Sequence, residues 1–197
     1  MSLSALPMHR RPLLDLLEVH RHRWPEDDAR VTQICHFVRT HPDCFERSCA
    51  PGHITGSAWI VSADRRAVLL THHRKLNRWL QLGGHADGDP NPLQVAQREA
   101  EEESGLAHFH LLPGPDGHHP IDLDIHAIPA RGSEPEHLHY DIRFLLLAGP
   151  DQELRISDES HALRWVPWDD LGQCTTEPSI QRMAGRAQRL LRGAPTV

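Results

Sequence analysis

Glu99, Glu102 and Glu103 stand at positions i, i+3 and i+4 of the sequence. On a helix that spacing puts all three side chains on one face. Three carboxylates so placed repel one another, and a solvated helix more often intersperses lysine between them. A divalent cation would remove the repulsion. Mg²⁺ and Mn²⁺ are the ions this set suits, because they prefer oxygen ligands and keep waters and phosphates in their shell. Glu101 falls off this face and reads as solvent-facing. A plain acidic surface helix has the same pattern, so the helix alone leaves both readings open.

A second constellation is His137, His139, Asp141 and Arg143. On a strand they share one side, with Leu138, Tyr140, Ile142 and Phe144 turned to a core. The polar side could line a substrate cleft with its imidazoles, carboxylate and guanidinium, or be the solvated face of an antiparallel strand. His85 and His126 could join it, His85 being better placed because it lies just before the carboxylate helix. Cys44 and Cys49, with His41 and His53 nearby, could in principle hold zinc. Their spacing is not that of a standard finger or ribbon, and reduced thiols in an N-terminal cap are the preferred reading.

The elements that must position these groups follow from periodicity. Residues 1–50 read as an N-terminal helical extension or cap, with Leu13, Leu14, Leu16 and Leu17 on one helix and Val31, Ile34, Cys35 and Val38 on another, punctuated by Pro25 and Pro42. Residues 51–197 read as the main domain. Strands are expected at 54–61 and 67–70 around a turn at 63–66, and at 79–82, followed by a loop over 83–90. Asn91 caps the next helix, Pro92 takes its first position, Gln94 completes a capping-box-like pattern and Gly105 ends it. Further strands are expected at 108–112, 121–130, 137–147 and 162–166, and a last helix at 179–191. The order implies an α+β fold with a mixed sheet flanked by helices.

Gly84, Arg98, Glu99, Glu102, Glu103, Gly105 and Leu106 fall at the spacing G-x5-E-x7-R-E-U-x-E-E-x-G-U. The segment therefore resembles the box of the Nudix (MutT-like) hydrolases. Trp79–Gly84 is similar to the strand that leads into such boxes, and Ser157–Ser160 with Trp165-Val166 to a late acidic loop and strand, so the resemblance spans roughly 53–175. It implies an α/β/α sandwich and hydrolysis of a diphosphate linkage in a nucleoside-diphosphate-type molecule. It further implies Mg²⁺ or Mn²⁺ held by Glu99, Glu102, Glu103 and the Gly83 carbonyl, with Arg98 orienting a box carboxylate. Glu159 is the first candidate for a general base outside the helix. His85, His137, His139, Asp141 and Arg143 are the candidates for substrate contact. Two positions depart from the pattern: Ala100 replaces the bulky aliphatic residue, which suggests close packing under the helix, and Pro90 replaces the first glutamate, for which Asp87 or Asp89 could substitute. A Nudix-fold binding module without turnover is the alternative. An isopentenyl-diphosphate isomerase of that fold is disfavoured because Gly83 stands where a catalytic cysteine is needed.

Composition narrows the partners. The formal net charge is −6 without a basic stripe, so a nucleic-acid duplex is not expected. The longest apolar run, Phe144–Ala148, is far too short to cross a bilayer, and the first seven residues do not read as a signal peptide. A cytoplasmic protein with a small nucleotide-type substrate is expected, with the N-terminal helices as the candidate interface of a homodimer.

Overall fold

The computed structural model describes residues 8–112, 118–150 and 152–193. The reading of the first seven residues lies outside it. Two helices, α1 (Arg11–Arg23) and α2 (Asp28–Thr40), precede the strands β1 (Gly52–Val61), β2 (Ala67–His73), β3 (Arg78–Leu80) and β4 (Leu82–His85). Helix α3 (Pro92–Ser104) carries the three glutamates. Strands β5 (Phe109–Leu111), β6 (Asp122–Ile128), β7 (His137–Ala148) and β8 (Ser160–Pro167) follow, then α4 (Leu171–Cys174) and α5 (Pro178–Gly193).

The strands form one mixed sheet. β1 and β7 run parallel at its centre, from Gly52 opposite Leu138 to Val61 opposite Leu147. The other pairings are antiparallel. The strand expected at 79–82 is divided at Gln81: β3 pairs with Thr71–His73 of β2, and β4 pairs with Thr55–Ala58 of β1. Residues 83–85, expected in a loop, are therefore a strand. Their glycines hid the signal, because glycine lowers strand propensity unless close packing selects it.

Helices cover both faces. On one side α1, α2 and α3 share a core with the sheet through Leu17, Ile34, Val38, Ile54, Val95, Ala96, Ile142 and Phe144. On the other, Ile180, Met183 and Ala187 of α5 pack on Trp59, Val61, Val68 and Leu147. Helix α3 lies so close to β1 that a Cβ on Gly56 would fall 2.5 Å from the Pro92 carbonyl oxygen and 2.9 Å from the Val95 Cβ. Ala100 is fully buried in this contact; a larger side chain would lift the helix off the sheet.

Between α5 and the sheet runs a buried chain of alternating charge. Arg186 donates to Asp27 and Asp122, at 2.7 Å each. Arg143 donates to Asp122 (3.2 Å), Asp124 (3.2 Å) and Asp141 (2.7 Å). Arg182 reaches both Asp122 and Asp124. Burial opposes ionisation of Asp27, but hydrogen bonds from His20 and Arg186 outweigh it and hold the carboxyl below the usual carboxylate range. Asp124 is lowered likewise, against its burial, by His126 and the neighbouring arginines.

Breaking one partner strands the others in a dry interior. Arg186→Met should therefore cost about 3–5 kcal/mol of stability, measured by urea unfolding at neutral pH. Because the native pKa values of Asp27 and Asp124 lie below those of the unfolded chain, their contribution is complete above about pH 4 and is lost as pH falls further. Wild-type unfolding free energy should drop below that pH, and the drop should be shallower in Arg186→Met.

Candidate active site

Helix α3 begins and ends as its sequence implies. The Asn91 side chain accepts from the backbone N–H of Leu93 (3.2 Å) and Gln94 (3.4 Å), and Gly105 closes the helix in the left-handed region at φ 72°. The capping box differs in one respect: the Asn91 N–H is taken by the Asp89 carboxylate at 2.8 Å, not by Gln94. Asp89 also lies 3.9 Å from the Arg98 guanidinium. Asp87 instead makes a bidentate pair with Arg47, whose Nη2 is 2.7 Å away. So of the two acids just before Pro90, Asp89 supports the loop–helix junction.

The glutamates differ in environment. Glu102 is exposed, Glu99 is partly buried, and Glu103 is buried with Oε1 accepting from the Gly83 N–H at 3.2 Å. Arg98 donates to Glu99 Oε1 (3.2 Å) and to the His85 carbonyl (2.9 Å), tying the helix to β4. Burial pushes the Glu103 carboxyl up to about 8, and the negative charges of Glu99, Glu159 and Glu102 add to the rise. Glu99 is raised for the same reasons, burial first, partly offset by Arg98. Glu159, exposed on the turn before β8, is thus near enough for its charge to be felt at both carboxylates; its carbonyl accepts from the Arg74 N–H at 2.9 Å.

These groups form one acidic patch against the β4 backbone. A Cβ on Gly84 would lie 2.4 Å from the Glu99 carboxylate, and one on Gly83 would meet Ser57. Glycine is required here because the carboxylates approach the main chain itself. The donor set is all oxygen, and the buried member resists ionisation without a counter-charge. That fits Mg²⁺ or Mn²⁺.

The second constellation is rearranged. The expectation that Asp141 and Arg143 contact substrate is corrected: Arg143 is buried with Nε, Nη1 and Nη2 all on carboxylates, and Asp141 also accepts from Thr55 (2.9 Å) and Ser57 (2.8 Å). Neither has a free polar edge. His85, His137 and His139 gather instead with His53 and His126. The zinc pattern with Cys44 and Cys49 is also set aside. Both thiols are buried in the core on the α1–α2 side, whereas the His53 ring lies on the other side of β1 with His85, His137 and His139. Arg47 was missed by sequence reasoning. It sits 40 residues from Asp87, in a segment with no motif, and only the fold brings it beside the box loop.

A family model described as NUDIX domain matches residues 52–187. Comparison with curated proteins gives no match. Among solved structures, an Ap4A hydrolase of C. elegans in a binary complex is similar with a TM-score of 0.55 at 17% identity, over 71% of this chain and 98% of that one. A NUDIX-family hydrolase from Clostridium perfringens gives 0.53 at 23%, over 71% and 97%. The dihydroneopterin triphosphate pyrophosphohydrolase of E. coli gives 0.53 at 16%, over 71% and 96%.

Gly84→Ala tests the close approach. The clashing atoms are the far end of a flexible side chain, so the variant should keep its fold by circular dichroism. It should displace Glu99 and weaken Mn²⁺ binding, read by paramagnetic relaxation of water, by about tenfold or more.

Proposed function

The chain belongs to the Nudix family, and from that premise we propose that it hydrolyses a diphosphate linkage in a nucleotide-type small molecule, using Mg²⁺ or Mn²⁺. The observation that carries the reading is the packing of Glu99 and Glu103 against the Gly83–Gly84 backbone, with Glu102 on the same helix face. In this reading the three carboxylates and the Gly83 carbonyl hold the cation. The ion, when bound, neutralises phosphate charge and lowers the pKa of a coordinated water.

The protein's own groups do the rest. Arg98 fixes the Glu99 carboxylate by its hydrogen bond and joins α3 to β4 through the His85 carbonyl. Glu159 faces the same patch from the turn before β8 and takes the proton of the attacking water. Its electrostatic coupling to Glu99 and Glu103 supports its nearness. Arg47 offers a cation at the rim, where a phosphate oxygen would compete with Asp87 for its guanidinium. The relatives whose names state a substrate act on Ap4A and on dihydroneopterin triphosphate; both carry phosphoanhydride bonds, which is the bond class proposed for this chain.

The test is a panel of nucleoside triphosphates, nucleotide sugars, ADP-ribose and dinucleoside polyphosphates with Mg²⁺ or Mn²⁺, read by phosphate release or chromatography. Loss of charge stabilisation worth several kcal/mol converts to about 100-fold or more at 1.36 kcal/mol per factor of ten. Glu103→Gln and Glu102→Gln should each lose about that much kcat, and Glu159→Gln about 10²–10⁴-fold. Turnover that survives the paired Glu102→Gln, Glu103→Gln variant would overturn the reading. Saturable binding without turnover would move the chain to the non-catalytic alternative.

A further inference from the structure

The sheet face opposite α3 carries a group of histidines that the carboxylate site does not use. His53 on β1 stands opposite His139 on β7, and His139 opposite His126 on β6. His137 lies two residues before His139 on the same side of β7. His85 on β4 stands opposite Thr55, which shares that side of β1 with His53. The rings meet: centroids are 4.7 Å apart for His53–His139, 4.9 Å for His53–His137 and 5.2 Å for His137–His139. His85 lies 5.0 Å from both His53 and His139, and His126 lies 5.4 Å from His139.

The hydrogen bonding of this group is incomplete. Both ring nitrogens of His53, Nε2 of His137 and Nε2 of His139 are buried with no hydrogen-bond partner. His53 is 98% buried, with 2% exposure. Burying a polar atom without a partner costs free energy, and here several such atoms converge. One nitrogen from each of His53, His137 and His139 lies within 4.8 Å of the other two. A tetrahedral ion with Zn–N of about 2.0–2.1 Å needs nitrogens roughly 3.4 Å apart, so a bound ion would draw the three rings together. The Nδ1–H of His137 donates to the Pro135 carbonyl at 2.9 Å, which leaves Nε2 as the lone-pair nitrogen. That is the arrangement by which metal-bound histidines are usually oriented. His126 is anchored in the same manner, through Nδ1 to Asp124 Oδ2 at 3.2 Å.

We propose that His53, His137 and His139 form a second metal site, built for a first-row transition cation such as Zn²⁺, with a remaining coordination position toward His85 and His126. An all-imidazole set suits Zn²⁺, Co²⁺, Ni²⁺ or Cu²⁺ and not the oxygen-seeking Mg²⁺, so the two sites select different ions. The two sites share β4 as a common wall: Gly84 abuts the Glu99 carboxylate, and the His85 ring meets His53 and His139. The site stands on the imidazoles alone and does not depend on the chemistry assigned to the carboxylates.

The experiment is Co²⁺ titration of the full chain without an affinity tag, in excess Mg²⁺, read by visible d–d absorption and followed by displacement with Zn²⁺. One equivalent of Co²⁺ is expected, displaced stoichiometrically by Zn²⁺. Affinity should fall roughly 100-fold or more in His53→Ala and in the partly exposed His139→Gln, and hold in the Glu99→Gln, Glu102→Gln, Glu103→Gln variant. Imidazole ¹⁵N shifts of the wild-type protein on adding Zn²⁺ give a readout that needs no variant, and the largest should belong to His53, His137 and His139. The proposal is overturned if the wild type takes up no stoichiometric Co²⁺ under excess Mg²⁺. It is also overturned if uptake vanishes in the glutamine variant while both histidine variants retain it, or if the ¹⁵N shifts of these three residues stay unmoved.

Discussion

Asp122 is fully removed from solvent and receives Arg143, Arg182 and Arg186 together. Two of those arginines come from α5, the third from the centre of the sheet, and Arg186 passes on to Asp27 in the turn between α1 and α2. A charge so deeply placed is tolerable only when every neighbour is present and correctly aimed. The chain therefore fixes the C-terminal helix, the N-terminal helices and the β6–β7 pair relative to one another with a directionality that apolar packing lacks. Its far end is Asp141, which also takes Thr55 and Ser57 of β1. β1 is the strand that pairs with β4, so the position of the box loop is referred back to this network.

β4 converts that positioning into chemistry. It is four residues long, and its value lies in what its two sides present. On the α3 side glycine lets Glu99 and Glu103 come against the main chain, where burial and mutual repulsion make a cation welcome. On the other side His85 meets His53, whose two ring nitrogens have no hydrogen-bond partner. Oxygen donors and nitrogen donors are thus kept apart by a single thickness of backbone.

Most of the periodic architecture was readable along the chain. The β1–β2 hairpin, α3 with its Asn91 and Gly105 ends, and β5 to β8 came from local patterns, because capping and strand alternation are properties of neighbouring residues. Glu99, Glu102 and Glu103 were readable for the same reason: their relation is one of helix phase. The division of β3 from β4 was not readable, since it depends on which strands lie alongside. The buried state of Asp141 and Arg143 was not readable either. Alternation assigns them a shared side but says nothing of what covers it, and the cover is supplied by α5 and β6.

The sequence by itself determined the carboxylate helix, its caps, and the glycine pair in front of it, because each is set by spacing within a few residues of chain. Only the tertiary structure decided that Asp89 rather than Asp87 meets Arg98 and the Asn91 N–H, and that Arg47 reaches Asp87 in the loop before α3. It likewise decided that His53 leaves the cysteines to meet His137 and His139. These are contacts between residues distant along the chain or on opposite sides of a strand, and their partners are chosen by sheet register and by which face is buried, which no local pattern encodes.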